Sequence, residues 1–130
     1  MFISDIDQIT GRTLIVDEDD NACWAYITKP TNKDIDVSCW LYNRIPHPVR
    51  TDIDKYVNSP PPAPIEFLKD GCPVYEEMDE DRITWRWSVT GETVCVYLDG
   101  EVLALLRADT GEVYNKFLKK DCPWGKPLGQ

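Results

Sequence analysis

In "IDVSCWLY" (Ile35 to Tyr42) apolar and polar positions alternate, so Ile35, Val37, Cys39 and Leu41 face one side of an extended chain and Asp36, Ser38, Trp40 and Tyr42 the other. Two earlier stretches, "RTLIVD" (Arg12 to Asp17) and "ACWAYIT" (Ala22 to Thr28), are also rich in β-branched and aromatic residues and bounded by turn formers. Three strands are expected, joined by the short separators "EDDN" and "KPTNKD" into an antiparallel meander. On this reading Trp40 lies on the polar side of its strand and is partly exposed, with Tyr42 beside it. Trp24 shares a face with Ala22 and Tyr26 and belongs to the core or beneath a covering segment.

The alternation stops between residues 43 and 73. Pro46, Pro48, Pro60, Pro61, Pro62 and Pro64 remove donors that a central strand or helix interior needs. This is a Pro-rich connection, with one or two helical turns over Arg50 to Asn58, Thr51 as the cap and Ile53, Tyr56 and Val57 turned inward. "SPPPAP" (Ser59 to Pro64) is expected as a polyproline strap over the domain, with docking to an SH3-type or WW-type domain as its other use. Alternation then returns in "RITWRWSV" (Arg82 to Val89), "TVCVYL" (Thr93 to Leu98) and "EVLALLR" (Glu101 to Arg107), separated by "TGE" and "DG". Both residues of Asp99-Gly100 tolerate positive φ, which marks a two-residue hairpin. Trp85 and Trp87 are in phase with Ile83 and Val89 and are placed in the core. "GEVYNKFLKK" (Gly111 to Lys120) fits a helix or a last strand, and the tail "DCPWGKPLGQ" is irregular, with Trp124 tucked onto the sheet.

These elements predict a β-rich single domain over residues 1–130, with a minor α component. It would hold about six to seven mostly antiparallel strands in a curved sheet or small sandwich, a Pro-rich crossover and one or two short helices. A chain of 130 residues has room for one core.

Charge narrows the function classes. With 23 acids against 14 bases the net charge is −9, which opposes approach to nucleic acid or an anionic membrane and favours a basic protein partner. Nine acids fall in two loops, Asp17, Glu18, Asp19 and Asp20 in the first and Glu76, Glu77, Asp79, Glu80 and Asp81 in the second. "EEMDED" has no place in a core and must face water.

Cys23, Cys39, Cys72, Cys95 and Cys122 are odd in number and never in a C-x-x-C pair, so free thiols in a reducing cytoplasm are expected. "MFISDIDQIT" lacks the basic and apolar regions of a signal peptide. Catalytic groups are sparse: the one imidazole is His47 in "IPHPVR", and no family signature surrounds any cysteine. "DEDDN" begins like a calcium loop but has Ala22 and Thr28 where the turn glycine and bidentate acid belong. Single turn glycines give no phosphate cradle. No enzyme activity, cofactor or metal is therefore expected.

"ACWAYIT", "DVSCWLYNR", the later W-x-W strand and "DCPWGKPL" together resemble a group of small bacterial proteins whose core reads "AWAYL" and then "WLYNR", ending in an acid-Gly-Pro-like tail. The resemblance spans most of the chain from Ala22 onward and carries no assigned activity. By analogy of size and acidity the chain is similar to immunity proteins that neutralise bacterial toxins. The analogy implies a non-catalytic inhibitor, with the acids of both loops covering a basic site on a toxin or nuclease effector and Trp40, Tyr42 and Arg44 supplying the anchor. A structural or adaptor role in a bacterial or phage assembly is the alternative, and a small enzyme the third reading.

Overall fold

The computed structural model describes residues 1–56 and 60–129. The expected inward Val57, Asn58 at the end of the helical turn and Ser59 at the start of the proline segment lie outside the described residues. Among the described residues, nine strands form two sheets. The first is a meander of β1 (Phe2–Ile6), β2 (Thr13–Glu18), β3 (Ala22–Thr28) and β4 (Ile35–Asn43). The second runs β5 (Ile83–Trp87), β6 (Thr93–Leu98), β7 (Glu101–Arg107), β8 (Val113–Asn115) and β9 (Lys126–Pro127), antiparallel except for the last pair. Inward residues of both sheets, among them Leu14, Val16, Ile27 and Val37 from the first and Val94, Val96 and Leu106 from the second, share one buried cluster. The fold is therefore the small sandwich, and the ambiguous Gly111 to Lys120 segment begins as a strand.

Two strands exceed the expectation. β9 is only two residues long, whereas β1 is a full five-residue strand that the sequence reading passed over. β1 joins β2 through a hairpin closed by Asp7 N–H to Arg12 O at 2.8 Å and Gly11 N–H to Asp7 O at 2.9 Å. The same Thr-Gly device closes the β5–β6 hairpin at Gly91 and the β7–β8 hairpin at Gly111, and all three glycines have φ between +73° and +80°. β5 ends at Trp87, so Val89 lies on a hairpin tip and is 90% exposed, not in the core.

The hairpin tips meet at one end of the sandwich. Asp7, buried, accepts from the N–H and the hydroxyl of Thr10 at 2.8 Å each and packs onto Gly91. Arg12, also buried, ties this end together. Its Nη1 donates to Asp36 Oδ2 at 2.7 Å and Thr28 O at 3.2 Å, and its Nη2 lies 3.0 Å from Glu92 Oε2 in the β5–β6 turn of the other sheet. The acidic loops occupy the opposite end, because β2 ends and β5 begins there.

The Pro-rich connection straps the outer face of the first sheet. Its first part is a 3-10 helix, Arg50–Tyr56, with Ile53 and Tyr56 half-buried. Pro62, Ala63 and Pro64 are buried, and Pro61 O accepts the indole N–H of Trp24 at 3.1 Å and of Trp124 at 3.2 Å. A buried strap has little to offer an SH3-type or WW-type domain.

Two expectations about β4 fail here. Trp40 and Tyr42 are both fully buried. The pairing with β3 slips between Cys23 and Trp24: Trp24 stands opposite Trp40 and Cys23 opposite Tyr42, so Leu41 is an extra residue. Such a bulge reverses the alternation after it, turning Tyr42 to the inner face beside Cys23. Trp40 keeps its outer orientation and is covered instead, with its ring edge-on to Phe117 at 6.4 Å.

Asparagines hold this region. Asn115 Nδ2 donates to the carbonyls of Trp40 and Leu41 at 2.7 and 3.0 Å, and its Oδ1 accepts from Phe117 N–H at 2.8 Å. Asn43 Oδ1 accepts from Trp40 Nε1 at 2.9 Å and Ala63 N–H at 2.8 Å, while its Nδ2 donates to Ala63 O and His47 Nδ1, both at 2.9 Å.

Trp85 and Trp87 do share the inner face with Ile83, but they sit half-buried at the open edge of their sheet. Both indole N–H groups donate to Asp5 Oδ2 on β1, at 2.9 and 2.8 Å. Their job is to clasp the edge of one sheet to the edge of the other.

Candidate functional site

The acidic end is built from β2, the β2–β3 turn, the end of β4 and the loop before β5. Asp19 shapes the turn, its Oδ1 accepting from the N–H groups of Asn21 at 2.7 Å and Ala22 at 2.9 Å. Asp79 caps a single 3-10 turn, Glu80–Arg82, by accepting from Asp81 N–H at 3.0 Å.

Arg44, just after β4, joins the two loops. Its Nη1 donates to Asp19 O at 2.8 Å and its Nη2 to Glu76 O at 2.6 Å, while Nε lies 3.6 Å from Glu18 Oε2. The guanidinium thus spends two of its donors on main-chain carbonyls, one in each acidic loop. The sequence gives no sign of this tie, because the partners are backbone atoms 25 and 32 positions away.

The sequence-derived residues then separate into two groups. Asp17, Asp20, Glu76, Glu77, Asp79, Glu80 and Asp81 are exposed at this end. Glu18 is not: only 8% of its side chain is accessible, and it accepts the Tyr42 hydroxyl. Trp40 and Tyr42 lie beneath the surface, so neither is the contact anchor that the sequence suggested.

Tyr75 takes the apolar role nearest the acids. Its ring meets Tyr42 edge-on at 5.2 Å, its N–H donates to Asn43 O at 2.9 Å, and the Arg82 guanidinium lies over the ring at 5.7 Å. With Pro46 and Val74 it floors a shallow groove of about 480 Å3 whose rim is Glu76 and Glu77. A second groove, about 450 Å3, runs between β1 and β5, with Phe2, Ser4 and Trp85 along it and Glu80 and Asp81 at its acidic end. Asp17 stands opposite Phe2 in the first sheet, so the two loops also approach across β1. A lysine or arginine stem can lie on such an apolar floor with its charged head among the carboxylates.

Burial, more than any neighbour, shifts the titrating groups behind this face. It pushes the Cys23 thiol up to about 12 and holds Cys39 higher still. Burial also raises the Tyr42 hydroxyl far above an ordinary phenol, with Cys23 and the accepting Glu18 adding to it. Thiols that stay neutral in the fold but ionise in the unfolded chain bind more protons when folded, so stability falls as pH rises past about 9. Cys23 and Cys39 are both fully buried. Together they are expected to cost about 3 kcal/mol by pH ~10 relative to neutrality. Urea unfolding between neutral and alkaline pH checks this, and replacing both by alanine should flatten the dependence.

His47 is engaged within the protein. Nδ1 accepts from the Asn43 amide N–H and Nε2–H donates to Cys72 O at 2.8 Å, so both ring nitrogens have partners. All five cysteines are free, and Cys72 is raised to about 11 by burial. Among the described residues no three His, Cys, Asp or Glu side chains converge to hold a metal ion, and no helix is long and apolar enough to cross a membrane. No family model, curated protein or solved structure matches this chain.

Proposed function

We propose that the chain is a non-catalytic acidic binding protein that covers a basic site on a partner effector protein, in the manner of immunity and antitoxin proteins. The observation that carries this reading is the Arg44 tie, which sets two acidic loops from distant parts of the sequence on one end of the sandwich through their carbonyls. Their exposed carboxylates stay available. Asp17, Asp20, Glu76, Glu77, Glu80 and Asp81 would receive the partner's lysines and arginines, with Tyr75, Pro46 and Val74 as the apolar centre. Glu18, Asp19 and Asp79 would hold the scaffold, and Trp40 and Tyr42 would support it from below.

Opposed charge raises encounter rates by about 10- to 1,000-fold at low salt. The test is capture of partners by the tagged chain from its native cells at low and moderate salt, followed by association kinetics with any basic protein found. Changing Glu76, Glu77, Glu80 and Asp81 to lysine, with the capping Asp79 kept, is expected to slow association roughly tenfold or more at low salt. Arg44→Ala makes the protein more negative yet should weaken binding, since the loops lose their common tie. Equal capture by the wild type and the lysine variant would end this reading.

A further inference from the structure

Four strands terminate the two sheets, β1 and β4 in one and β5 and β9 in the other. A terminal strand presents unpaired backbone donors and acceptors unless something guards it. β9 is two residues long and consists of Lys126 and Pro127. β4 has the carbonyls of Trp40 and Leu41 occupied by Asn115. β5 carries a charged side chain, Arg86, at its fourth position. β1, with the sequence "FISDI", has no Lys, Arg or Pro and pairs with β2 without a bulge, and its one charge, Asp5, is taken up by the Trp85 and Trp87 indoles, leaving Phe2, Ser4 and Ile6 uncharged along the free edge. It also exposes two large apolar side chains, Phe2 at 61% and Ile6 at 50%.

The direction of its free backbone groups follows from the pairing. Asp7 N–H bonds Arg12 O at 2.8 Å and Glu18 N–H bonds Met1 O at 3.2 Å, and bonded positions alternate along an antiparallel pair. Ile3 and Asp5 therefore bond β2, while the N–H and C=O groups of Phe2, Ser4 and Ile6 point off the sheet.

We propose that β1 is a homodimerisation edge: two copies pair β1 antiparallel to β1 about a two-fold axis through Ser4, merging their four-stranded sheets into one. The edge is self-complementary, as an isologous interface requires. Phe2 and Ile6 stand two residues either side of Ser4, so each Phe2 meets the other copy's Ile6, and Ser4 meets Ser4. The three residues with outward backbone groups in one copy face the same three in the other.

Charge selects the same arrangement. With a net charge of −9, two copies repel in any arrangement, and least when their acidic ends stay apart. Antiparallel pairing places the acidic end of each beside the β1–β2 turn of the other, where Asp7 is buried and Gln8 and Ile9 carry no charge. Screening should therefore tighten the dimer.

The experiment is sedimentation equilibrium of the full chain over a concentration series, at low salt and at about 0.5 M salt. A monomer–dimer equilibrium that tightens with salt is expected, together with slowed amide exchange at Phe2, Ser4 and Ile6 as concentration rises. Ser4→Pro removes an N–H that bonds nothing within the sheet and is tolerable at an edge. It should weaken the dimer by roughly tenfold or more. Phe2→Lys, at an exposed side chain, is expected to do the same and decides the matter should the proline variant fail to fold. A monomer throughout the series at both salts overturns the proposal. So does a dimer that Phe2→Lys leaves intact.

Discussion

Asn43→Ala is expected to destabilise the protein by roughly 4 to 5 kcal/mol, although it removes only a small polar side chain. Four bonds depend on that amide, with the Trp40 indole, both backbone groups of Ala63 and His47 Nδ1 as partners. Ala63 and Trp40 are fully buried, so water does not replace what is lost. Each buried group left without a partner costs about 1 to 3 kcal/mol. The cost reaches beyond the hydrogen bonds, because Asn43 pins the proline strap to the end of β4. A lower urea midpoint with an unchanged slope would locate the whole effect in stability. The exposed Asn32, which accepts one local bond from Asp34 N–H, serves as the control, and its alanine variant should lose no more than about 1 kcal/mol.

Gly91→Ala should cost nearly as much, about 3 to 5 kcal/mol, for two separable reasons. Gly91 has φ of +73°, a conformation that side chains resist. A Cβ there would also stand 2.1 Å from Asp7 Oδ2 and 2.7 Å from Thr10 Cγ2, in the other hairpin. Asp7 has little freedom to yield, since Thr10 holds its carboxylate twice. Gly111 isolates the backbone part: its φ is +78° and nothing lies within 4 Å of the added carbon. Gly111→Ala is therefore expected to lose only about 1 to 2 kcal/mol, and the excess at Gly91 measures the docking of the two hairpin tips. Equal losses at the two sites would mean that the tips are not held together in solution.

Local pattern carried most of the architecture, because alternation and turn residues are local properties. The strands Ala22–Thr28, Thr93–Leu98 and Glu101–Arg107 coincide with the stretches read from sequence. β1 was not among the stretches read, although "ITGR" repeats the turn of "VTGE" and "DTGE": Asp5 within it and Asp7 just after it obscure its strand character, and both are explained by other partners. Asp5 is held by two indoles and Asp7 by its own hairpin.

Trp40 and Tyr42 were misread for a different reason. The bulge at Leu41 is bonded by Asn115, more than 70 positions later, and the cover over Trp40 includes a connection with no periodicity to read. The acidic loops were visible as composition, but their proximity was not. That relation passes through Arg44 and two carbonyls, and a carbonyl has the same identity in every residue.

For the same reason the Arg44 tie separates scaffold from surface chemistry. The side chain at Glu76 can change without removing the acceptor, since every amino acid brings a carbonyl. Substitutions at Asp17, Asp20, Glu76 and Glu77 would therefore redraw the face while its two loops stay in place. In the binding role proposed above, recognition at this end would be free to diverge one side chain at a time, over a tie that asks only for a carbonyl in each loop.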